Sequence, residues 1–358
     1  MLNTVKQIPK PKLTINCSKL FKPLITSHGK VLPAVVDQLP TALLIFDNNA
    51  FKNQLSALSK SLNPYLRLIR YDKPIGTSLL FWPSAWSIAL AASPGCLPNI
   101  PDLILFGAGA FCMRSAGCII NDLWDKDFDR RVERTKFRPL ASGELTNKQA
   151  IGALGGLLSA SLAILLQFNW MTVGIGASSL LLVGSYPLAK RYTHWPQAVL
   201  GLTFNFGTIM GYTAAAGQFS VAHILPLYAA GICWTLIYDT IYAHQDKSDD
   251  SLIGVNSTAL HFGDQTKLWL TGFASGMVSS LYLLGKLTEQ TDFYYLGLFG
   301  VATHLAWQIG TVDINNGHDC WKKFKSNAWI GPMLFTAIVL ANLYKPKEKK
   351  EQDAVESN

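Results

Sequence analysis

The sequence predicts an all-α, polytopic membrane protein of about nine transmembrane helices, and three observations carry that prediction. The composition is 49% hydrophobic and only 15% charged. Apolar stretches of about 20 residues, the length of a bilayer-crossing helix, recur along the chain from residue 74 onward. Lysines and arginines collect in alternate connections between these stretches, as expected for a chain threaded through a bilayer. Spans this dense leave no room for a large soluble core, so we expect one integral membrane domain.

The apolar stretches give the predicted helices in chain order. Several contain Gly or Pro, which membrane helices tolerate. The predicted spans lie near residues 74–93, 102–121, 150–167, 171–189, 197–215, 222–242, 268–286, 293–311 and 328–344.

The basic residues predict which connections share a side of the membrane. On one side every connection contains Lys or Arg, at 122–149, 187–196, 243–267 and 312–327. The other side is nearly free of them, with only Lys286 at the edge of the last of its connections, at 94–101, 168–170, 216–221 and 287–292. The C-terminal tail disagrees with this pattern, because it carries four Lys on the poorly charged side. Since the bases follow the connections and form no single stripe, the net charge of +8 does not indicate a nucleic-acid partner.

The first 36 residues have the composition of a mitochondrial presequence. They contain six Lys and no acid, and a basic, acid-free start is typical of such segments. A basic cytosolic tail is the alternative interpretation, since Pro9 and Pro11 weaken an amphipathic helix. We therefore divide the chain into a presequence, a linker or interfacial segment, the membrane domain and a charged tail, at 1–36, 37–66, 67–344 and 345–358.

A cluster of acids follows the second predicted span, in the stretch NDLWDKDFD. Asp122, Asp125 and Asp129 stand at i, i+3 and i+7, which places them within an arc of about 60° on a helix. Asn121 lies at the edge of that face. Carboxylates on one face repel each other, and a divalent cation removes that cost. A solvated, salt-bridged loop is the simpler interpretation of this cluster by itself.

A second acidic cluster, in YDTIYAHQDKSDD, follows the sixth span on the same predicted side. Asp239, Asp246 and Asp250 fall within about 40° of one another on a helix, and Asp249 lies to one side. Oxygen ligands suit Mg²⁺, which binds one or two carboxylates and completes its shell with water and substrate phosphates. Two acidic stripes at one membrane face therefore predict a Mg²⁺ site that holds a diphosphate.

Basic residues at the same predicted face are candidates for binding the leaving diphosphate. Arginine suits this role because its planar set of donors matches phosphate oxygens, and positive charge stabilises a departing anion. The candidates lie in RLIRYDKPIG, RTKFRPL and YPLAKR, and they are Arg67, Arg70, Lys73, Arg134, Arg138, Lys190 and Arg191.

Arg114 is unusual because it lies within the second predicted span. An Arg inside a bilayer costs about 2.5–3.5 kcal/mol on insertion scales, so we expect it to face an anion. It stands seven residues before Asn121 on the same helical face, where it would orient carboxylates or bind an anionic substrate. The alternative is an Arg that snorkels to the interface or pairs with one structural acid.

These motifs resemble those of the UbiA superfamily of membrane aromatic prenyltransferases. NDLWDKDFD followed by RTKFRPLASG, with YDTIYAHQDKSDD downstream, carries the resemblance to the superfamily. The stretches RLIRYDKPIGTSLLFWP, YPLAKRYTHWPQAVLGLTFNFG and STALHFG extend it over nearly the whole span region. Within the superfamily, the stretches DKPIGT, WPQAVLGLTFN and YDTIYAHQD look specifically like those of members that prenylate 4-hydroxybenzoate in mitochondrial ubiquinone synthesis.

The resemblance implies nine helices around a central cavity open to lipid, with Mg²⁺ bridging both acidic motifs to the diphosphate of an isoprenoid donor. Carried over to this chain, the metal ligands are Asn121, Asp122, Asp125, Asp129, Asp246, Asp249 and Asp250. The basic pair near the diphosphate is Lys190 and Arg191. The motif of the first helix is Arg67, Asp72 and Lys73.

The resemblance also implies a reaction and a compartment. A polyprenyl group would pass from polyprenyl diphosphate to the ring carbon ortho to the hydroxyl of 4-hydroxybenzoate. Asp72 or Asp129 would take a proton, and Arg67 or Arg114 would hold the benzoate carboxylate. The enzyme would lie in the mitochondrial inner membrane with its site on the matrix side and its prenyl groove open to the lipid bilayer. Other proteins of ubiquinone biosynthesis are expected partners, and nucleic acid is not.

Three other interpretations stay open on the sequence. A family member with a different acceptor would prenylate haem B, homogentisate or a naphthoate. A transporter also places acids and an Arg within its spans, although these acids gather at one membrane face rather than at the midplane. An inactive scaffold within a biosynthetic complex is the third, and the complete aspartate motifs argue against it.

Overall fold

Helices make up every regular element in the part of the chain that the computed structural model describes, which is residues 59–133, 135–247 and 256–346. Within these ranges, the side chains of residues 186–188, 190 and 191 are not described. A helical segment at 59–68 comes first, and two 3₁₀ turns, Gly263–Gln265 and Asn327–Trp329, flank later helices. The α-helices that follow are α1 (Ile75–Leu90), α2 (Ile100–Trp124), α3 (Lys126–Asp129), α4 (Asn147–Leu165), α5 (Trp170–Tyr192), α6 (Pro196–Phe204), α7 (Phe206–Ala216), α8 (Val221–Ala243), α9 (Thr258–Phe262), α10 (Thr266–Leu287), α11 (Asp292–Thr311), α12 (Gly317–Ser326) and α13 (Ile330–Leu343).

Every apolar stretch predicted to span the membrane is helical, so the all-α prediction is confirmed. The shorter apolar helices include α1 and the first part of α5, Trp170–Ser185. Within the described residues, five helical stretches are long and apolar enough to cross a membrane, namely Ile100–Trp124, Asn147–Leu165, Val221–Ala243, Thr258–Leu287 and Gly317–Leu343.

The stretch predicted as one span at 197–215 is divided at Asn205 into α6 and α7. The Asn205 amide donates to the Gly201 carbonyl at 2.8 Å and to Thr235 Oγ1 on α8 at 2.9 Å. A Cβ at Gly231 would overlap the Asn205 carboxamide, so α8 has glycine where this side chain crosses. The break is therefore held by a buried polar contact between neighbouring helices, which is a favourable way to join helices where water is excluded.

The helices pack in neighbouring pairs around an apolar core. α8 lies along α10, α1 lies along α7 and α13, and α2 lies along α4. Two buried tryptophans connect these layers through their indole N–H groups. Trp86 donates to the Gly331 carbonyl at 2.8 Å, and Trp234 donates to Asn327 Oδ1 at 2.9 Å. Because a buried indole needs an acceptor, these bonds fix where α1 and α8 meet the C-terminal helices.

A smaller apolar cluster holds the loop after α3 against the end of α2. Its buried members come from the 59–68 segment, α2, the loop and α4, and they are Leu68, Ile119, Leu140, Leu145 and Ala150. α4 begins with a capping box in which Thr146 and Gln149 exchange side-chain-to-backbone hydrogen bonds. This packing brings the segments before α1 and after α3 together over the last turns of α2.

Candidate active site

The first acidic stretch continues the helical spacing of α2 beyond the helix end. α2 ends at Trp124, and Asp125 caps it. The Asp125 N–H donates to the Asn121 carbonyl at 2.8 Å, and the Asp129 N–H donates to the Asp125 carbonyl at 2.8 Å. These i to i−4 bonds preserve the helical register, so Asn121, Asp125 and Asp129 share one face.

Asp122 lies at the centre of an ion-pair network. The side chain is 1% exposed. Arg70 Nη2 donates to both of its oxygens, at 2.7 and 3.0 Å, and Arg138 Nη1 donates to Oδ1 at 3.2 Å. The same Arg138 nitrogen donates to Asp129 Oδ2 at 2.7 Å. Two carboxylates and two guanidinium groups therefore neutralise one another where water is largely excluded, which is the condition under which a buried charge is tolerated.

The backbone at Arg70 is shaped to deliver its side chain to this network. Arg70 has φ = 58°, in the left-handed region that residues other than glycine seldom adopt. Such a conformation costs on the order of 1–3 kcal/mol and persists where the surroundings fix it. Here the Lys73 N–H donates to the Arg70 carbonyl, and the guanidinium also reaches the Arg67 carbonyl at 3.2 Å. The turn before α1 thus places Arg70 over the end of α2.

The remaining residues of the predicted first-helix motif lie closer to solvent. Arg67 pairs with Glu144, and their side chains are 38% and 40% exposed. Asp72 and Lys73 are exposed in the same turn. No sequence signal identified Glu144, which lies 77 residues from its partner. Glu144 therefore neutralises the charge of Arg67 at the surface.

Arg114 is half-buried within α2 and lies against α1. Its guanidinium carbon is 5.9 Å from the centre of the Phe204 ring, within the range of a cation–π contact. Among the residues that the structure describes, no carboxylate lies within ion-pair distance of it. The anion expected for an Arg in this position therefore does not come from these residues.

The second acidic stretch begins in α8 and continues beyond it. Asp239 lies in the last turns of α8, and the Asp246 N–H donates to the Ala243 carbonyl at 3.2 Å in the turn that follows. Between them, His244 is buried and its Nε2 lies 3.1 Å from Thr266 Oγ1. Burial, with a smaller contribution from Lys247, lowers the pKa of His244 to about 4, so its imidazole is neutral at physiological pH.

Several predicted site residues lie outside the described residues or side chains. They are Arg134, Asp249 and Asp250, together with the side chains of Lys190 and Arg191. Within the described ranges, no group of three or more His, Cys, Asp or Glu side chains is close enough to hold a metal ion. A metal site shared by the two acidic stretches stays a prediction. The donors on this face are of the kind that Mg²⁺ prefers, because they are carboxylate and amide oxygens. Asn121 and Asp125 are half-buried, and Asp129 is buried.

A comparison with known protein families covers both acidic stretches. A family model described as the UbiA prenyltransferase family matches residues 80–338. The chain belongs to the UbiA prenyltransferase family. This confirms the resemblance seen in the aspartate motifs.

Relatives within the UbiA family are similar over most of the chain. A protein of Caenorhabditis elegans named "4-hydroxybenzoate polyprenyltransferase, mitochondrial" is 62% identical over 285 residues, covering 80% of each chain. Proteins of the same name from Rattus norvegicus and Homo sapiens are 54% and 53% identical. The rat match covers 84% of this chain and 81% of the relative, and the human match covers 81% and 78%.

Solved structures of UbiA homologues share the fold. The apo structure of a homologue from Aeropyrum pernix matches with a TM-score of 0.64 at 21% identity, covering 74% of this chain and 97% of that one. A homologue from Archaeoglobus fulgidus, solved with DMAPP and Mg²⁺, matches with a TM-score of 0.58 at 17% identity, covering 78% and 98%. At these identities the similarity establishes the fold.

Proposed function

We propose that this protein is a 4-hydroxybenzoate polyprenyltransferase that acts early in ubiquinone biosynthesis. It transfers a polyprenyl group from polyprenyl diphosphate to the ring carbon ortho to the hydroxyl of 4-hydroxybenzoate. The observation that carries this proposal is the 62% identity to a relative of that name over four fifths of both chains. The names of the relatives also support a mitochondrial location. We assign the protein to the inner membrane, with the acidic stretches on the matrix side and other ubiquinone-biosynthesis proteins as partners.

Mg²⁺ is the proposed cofactor, and the acidic stretches supply its ligands. The proposed ligands share hard oxygen donors, and they are Asn121, Asp125, Asp129, Asp246, Asp249 and Asp250. We assign Asp122 a different role from the one its sequence predicts, because both of its oxygens already accept hydrogen bonds from Arg70 and Arg138. A Mg²⁺ ion held by these residues would supply positive charge to offset the charge of the departing diphosphate.

We assign the basic residues to two anions, the departing diphosphate and the carboxylate of the acceptor. Arg70 and Arg138, held in place by Asp122, present their remaining N–H groups to the diphosphate that departs with the bonding electron pair. Arg134, Lys73, Lys190 and Arg191 are the further predicted anchors for that anion. Arg114 binds the carboxylate of the acceptor, since Arg67 is engaged by Glu144 at the surface.

The new bond forms between the allylic carbon of the donor and the ring carbon of the acceptor, and the ring carbon loses its proton. The sequence left Asp72 and Asp129 as candidate proton acceptors. We assign the role to Asp72, because Asp129 is a proposed metal ligand and also accepts a hydrogen bond from Arg138 at 2.7 Å. Asp72 is exposed in the turn before α1, where a proton can pass on to water.

Product formation in membranes that contain the protein tests this proposal. Labelled 4-hydroxybenzoate and a polyprenyl diphosphate are incubated with Mg²⁺ or with EDTA. We expect a lipid product only with Mg²⁺, and a loss of at least about 100-fold in Asp125→Ala and Asp246→Ala, the size found when a charge-stabilising group is removed. Asp127→Ala is the matched control, because Asp127 belongs to the same stretch but its side chain is 83% exposed.

The contrary outcomes distinguish the alternatives. Prenylation of homogentisate, haem B or a naphthoate, with 4-hydroxybenzoate left unreacted, would keep the chemistry and overturn the acceptor. A folded protein that makes no product with any of these acceptors would restore the transporter or scaffold interpretation.

A further inference from the structure

Gly76, Arg114 and Phe204 form a small group of side chains inside the membrane domain, which we call the Arg114 site. Gly76 is buried in the first turn of α1 and faces the Arg114 guanidinium from the neighbouring helix. A Cβ at Gly76 would lie 2.9 Å from Nη2 and 3.0 Å from Cζ of Arg114, and nearer still to Nε. Real Cβ atoms essentially never come within 3.0 Å of another atom, so a side chain at position 76 would displace the flexible end of Arg114. The guanidinium therefore occupies space that any other residue at position 76 would fill.

The guanidinium has a second neighbour besides Gly76. The Phe204 ring lies 5.9 Å from the guanidinium carbon. Just beyond Arg114 along α2, Ser115 Oγ donates to the Ile69 carbonyl at 3.3 Å, which holds the segment before α1 against α2. Gly76 and Phe204 thus both lie beside the Arg114 guanidinium.

Arg114 lies deeper than the acidic stretch but on the same face of α2. Seven residues separate it from Asn121, which corresponds to about 10 Å along the helix axis. A diphosphate held by the acidic stretch would lie at the outer end of this face. Under the proposed function, the guanidinium therefore lies deeper than the diphosphate along α2, and we assign it to the acceptor.

The electrostatic environment of Arg114 favours a small anion from outside the chain. In the described part of the chain no carboxylate is paired with it. The first turn of α1 has no side-chain cap, so its N–H groups add positive potential close to Gly76. An acceptor without a negative group would leave this half-buried cation unpaired, which disfavours its binding.

We infer that Gly76 sets the acceptor specificity of the enzyme by giving the Arg114 guanidinium the position from which it binds an aromatic carboxylate. Gly76 is a positioning residue and does not itself touch the acceptor. This inference rests on the proposed function, because it names the residue that keeps the acceptor-binding arginine in place.

Kinetics of Gly76→Ala with two acceptors test the inference. We expect the KM for 4-hydroxybenzoate to rise by about tenfold or more, the lower range for one charge-assisted interaction, while the KM for the prenyl diphosphate stays unchanged. The rate with methyl 4-hydroxybenzoate, which lacks the negative charge, should be the same in both proteins. Gly107→Ala is the control, since a Cβ at Gly107 on the same helix as Arg114 would meet only ordinary contacts, the nearest at 3.7 Å from Phe81.

A double-mutant cycle separates positioning from general damage to helix packing. In an Arg114→Lys background, Gly76→Ala should add little further change in the KM for 4-hydroxybenzoate, because both substitutions act on one interaction. Equal losses with the ester and with the donor, or an undiminished effect in the Arg114→Lys background, would overturn the inference. If Gly76→Ala does not accumulate in membranes, Phe204→Leu removes the opposite wall, and the same split between acceptor and donor KM is expected.

The inference and the proposed function fail in different ways. A wild-type protein that does not prenylate 4-hydroxybenzoate would overturn the proposed function before any variant is compared. A wild-type protein that does, together with a Gly76→Ala variant of unchanged acceptor KM, would overturn the inference alone.

Discussion

Two charged side chains on α2, eight residues apart, have opposite surroundings, and Asp122 is buried whereas Arg114 is half-buried. Asp122 is enclosed by two guanidinium groups of the protein itself, from Arg70 and Arg138. Arg114 lies against a glycine and an aromatic ring, with no carboxylate paired to it among the described residues. Because an uncompensated buried charge is costly, the first arrangement is complete without substrate, whereas the second needs an anion from outside. We therefore propose that the same helix carries one charge that maintains structure and one that binds substrate.

Among the substitutions that test this comparison, removing the charge of Asp122 should have the largest effect, and the effect should be on stability. Asp122→Asn leaves Arg70 and Arg138 without their shared carboxylate, and we expect a loss of about 3 kcal/mol in unfolding free energy, at the low end for a broken buried pair because both arginines retain some exposure. Thermal unfolding in detergent measures this loss. Asp127→Asn, an exposed acid of the same stretch, should leave the unfolding temperature unchanged.

The opposite result for Asp122→Asn would be informative. A variant that keeps its unfolding temperature but loses its response to Mg²⁺ would return Asp122 to the metal-ligand role that the sequence predicts. It would also show that the arginines rearrange once their partner is neutral.

Arg114→Ala should separate binding from stability, in contrast to Asp122→Asn. We expect kcat/KM for 4-hydroxybenzoate to fall by about 100-fold, which corresponds to one or two lost charge-assisted hydrogen bonds. The unfolding free energy should change by less than about 1 kcal/mol, because no ion pair in the described structure is broken. Steady-state kinetics and thermal unfolding of the same preparation give both values, with Arg131→Ala, an exposed base in the loop after α3, as the control.

A different pattern would remove the contrast between the two charges. If Arg114→Ala destabilises the protein as strongly as Asp122→Asn while the remaining folded fraction keeps its acceptor KM, Arg114 is a structural residue. The carboxylate of the acceptor would then need another partner.

The helices were predictable from the sequence because membrane spans are encoded locally, by runs of apolar residues long enough to cross a bilayer. The break at Asn205 was not, since LTFNFG is apolar on both sides of the asparagine. What divides the helix is the contact of Asn205 with Thr235 and the space left by Gly231, thirty and twenty-six residues along the chain. Such contacts depend on how helices pack, which no local pattern records.

The candidate site was predictable in residue type but not in pairing. The spacing of the acids on α2 follows from helical geometry, and the structure preserves it through Asp129. The partners of Asp122 lie 52 and 16 residues away in the chain, so a carboxylate bound to arginine looks the same in the sequence as one ready for a metal ion. Gly76 stands in the quoted DKPIGT stretch, but its function depends on the arginine that packs against it.

Breaking the exposed pair between Arg67 and Glu144 should have the smallest effect. The kinetics of that variant test which arginine binds the acceptor. Both side chains are about two-fifths exposed, and exposed ion pairs contribute about 0–1 kcal/mol. Glu144→Gln should therefore change the unfolding free energy by less than about 1 kcal/mol and leave the KM for 4-hydroxybenzoate unaltered, as measured beside Asp127→Asn. If Arg67 held the benzoate carboxylate, removing its competing partner would free the guanidinium and lower that KM several-fold. That result would place the acceptor carboxylate at the turn before α1 rather than at the middle of α2. Arg114 would then not be the residue that binds the acceptor.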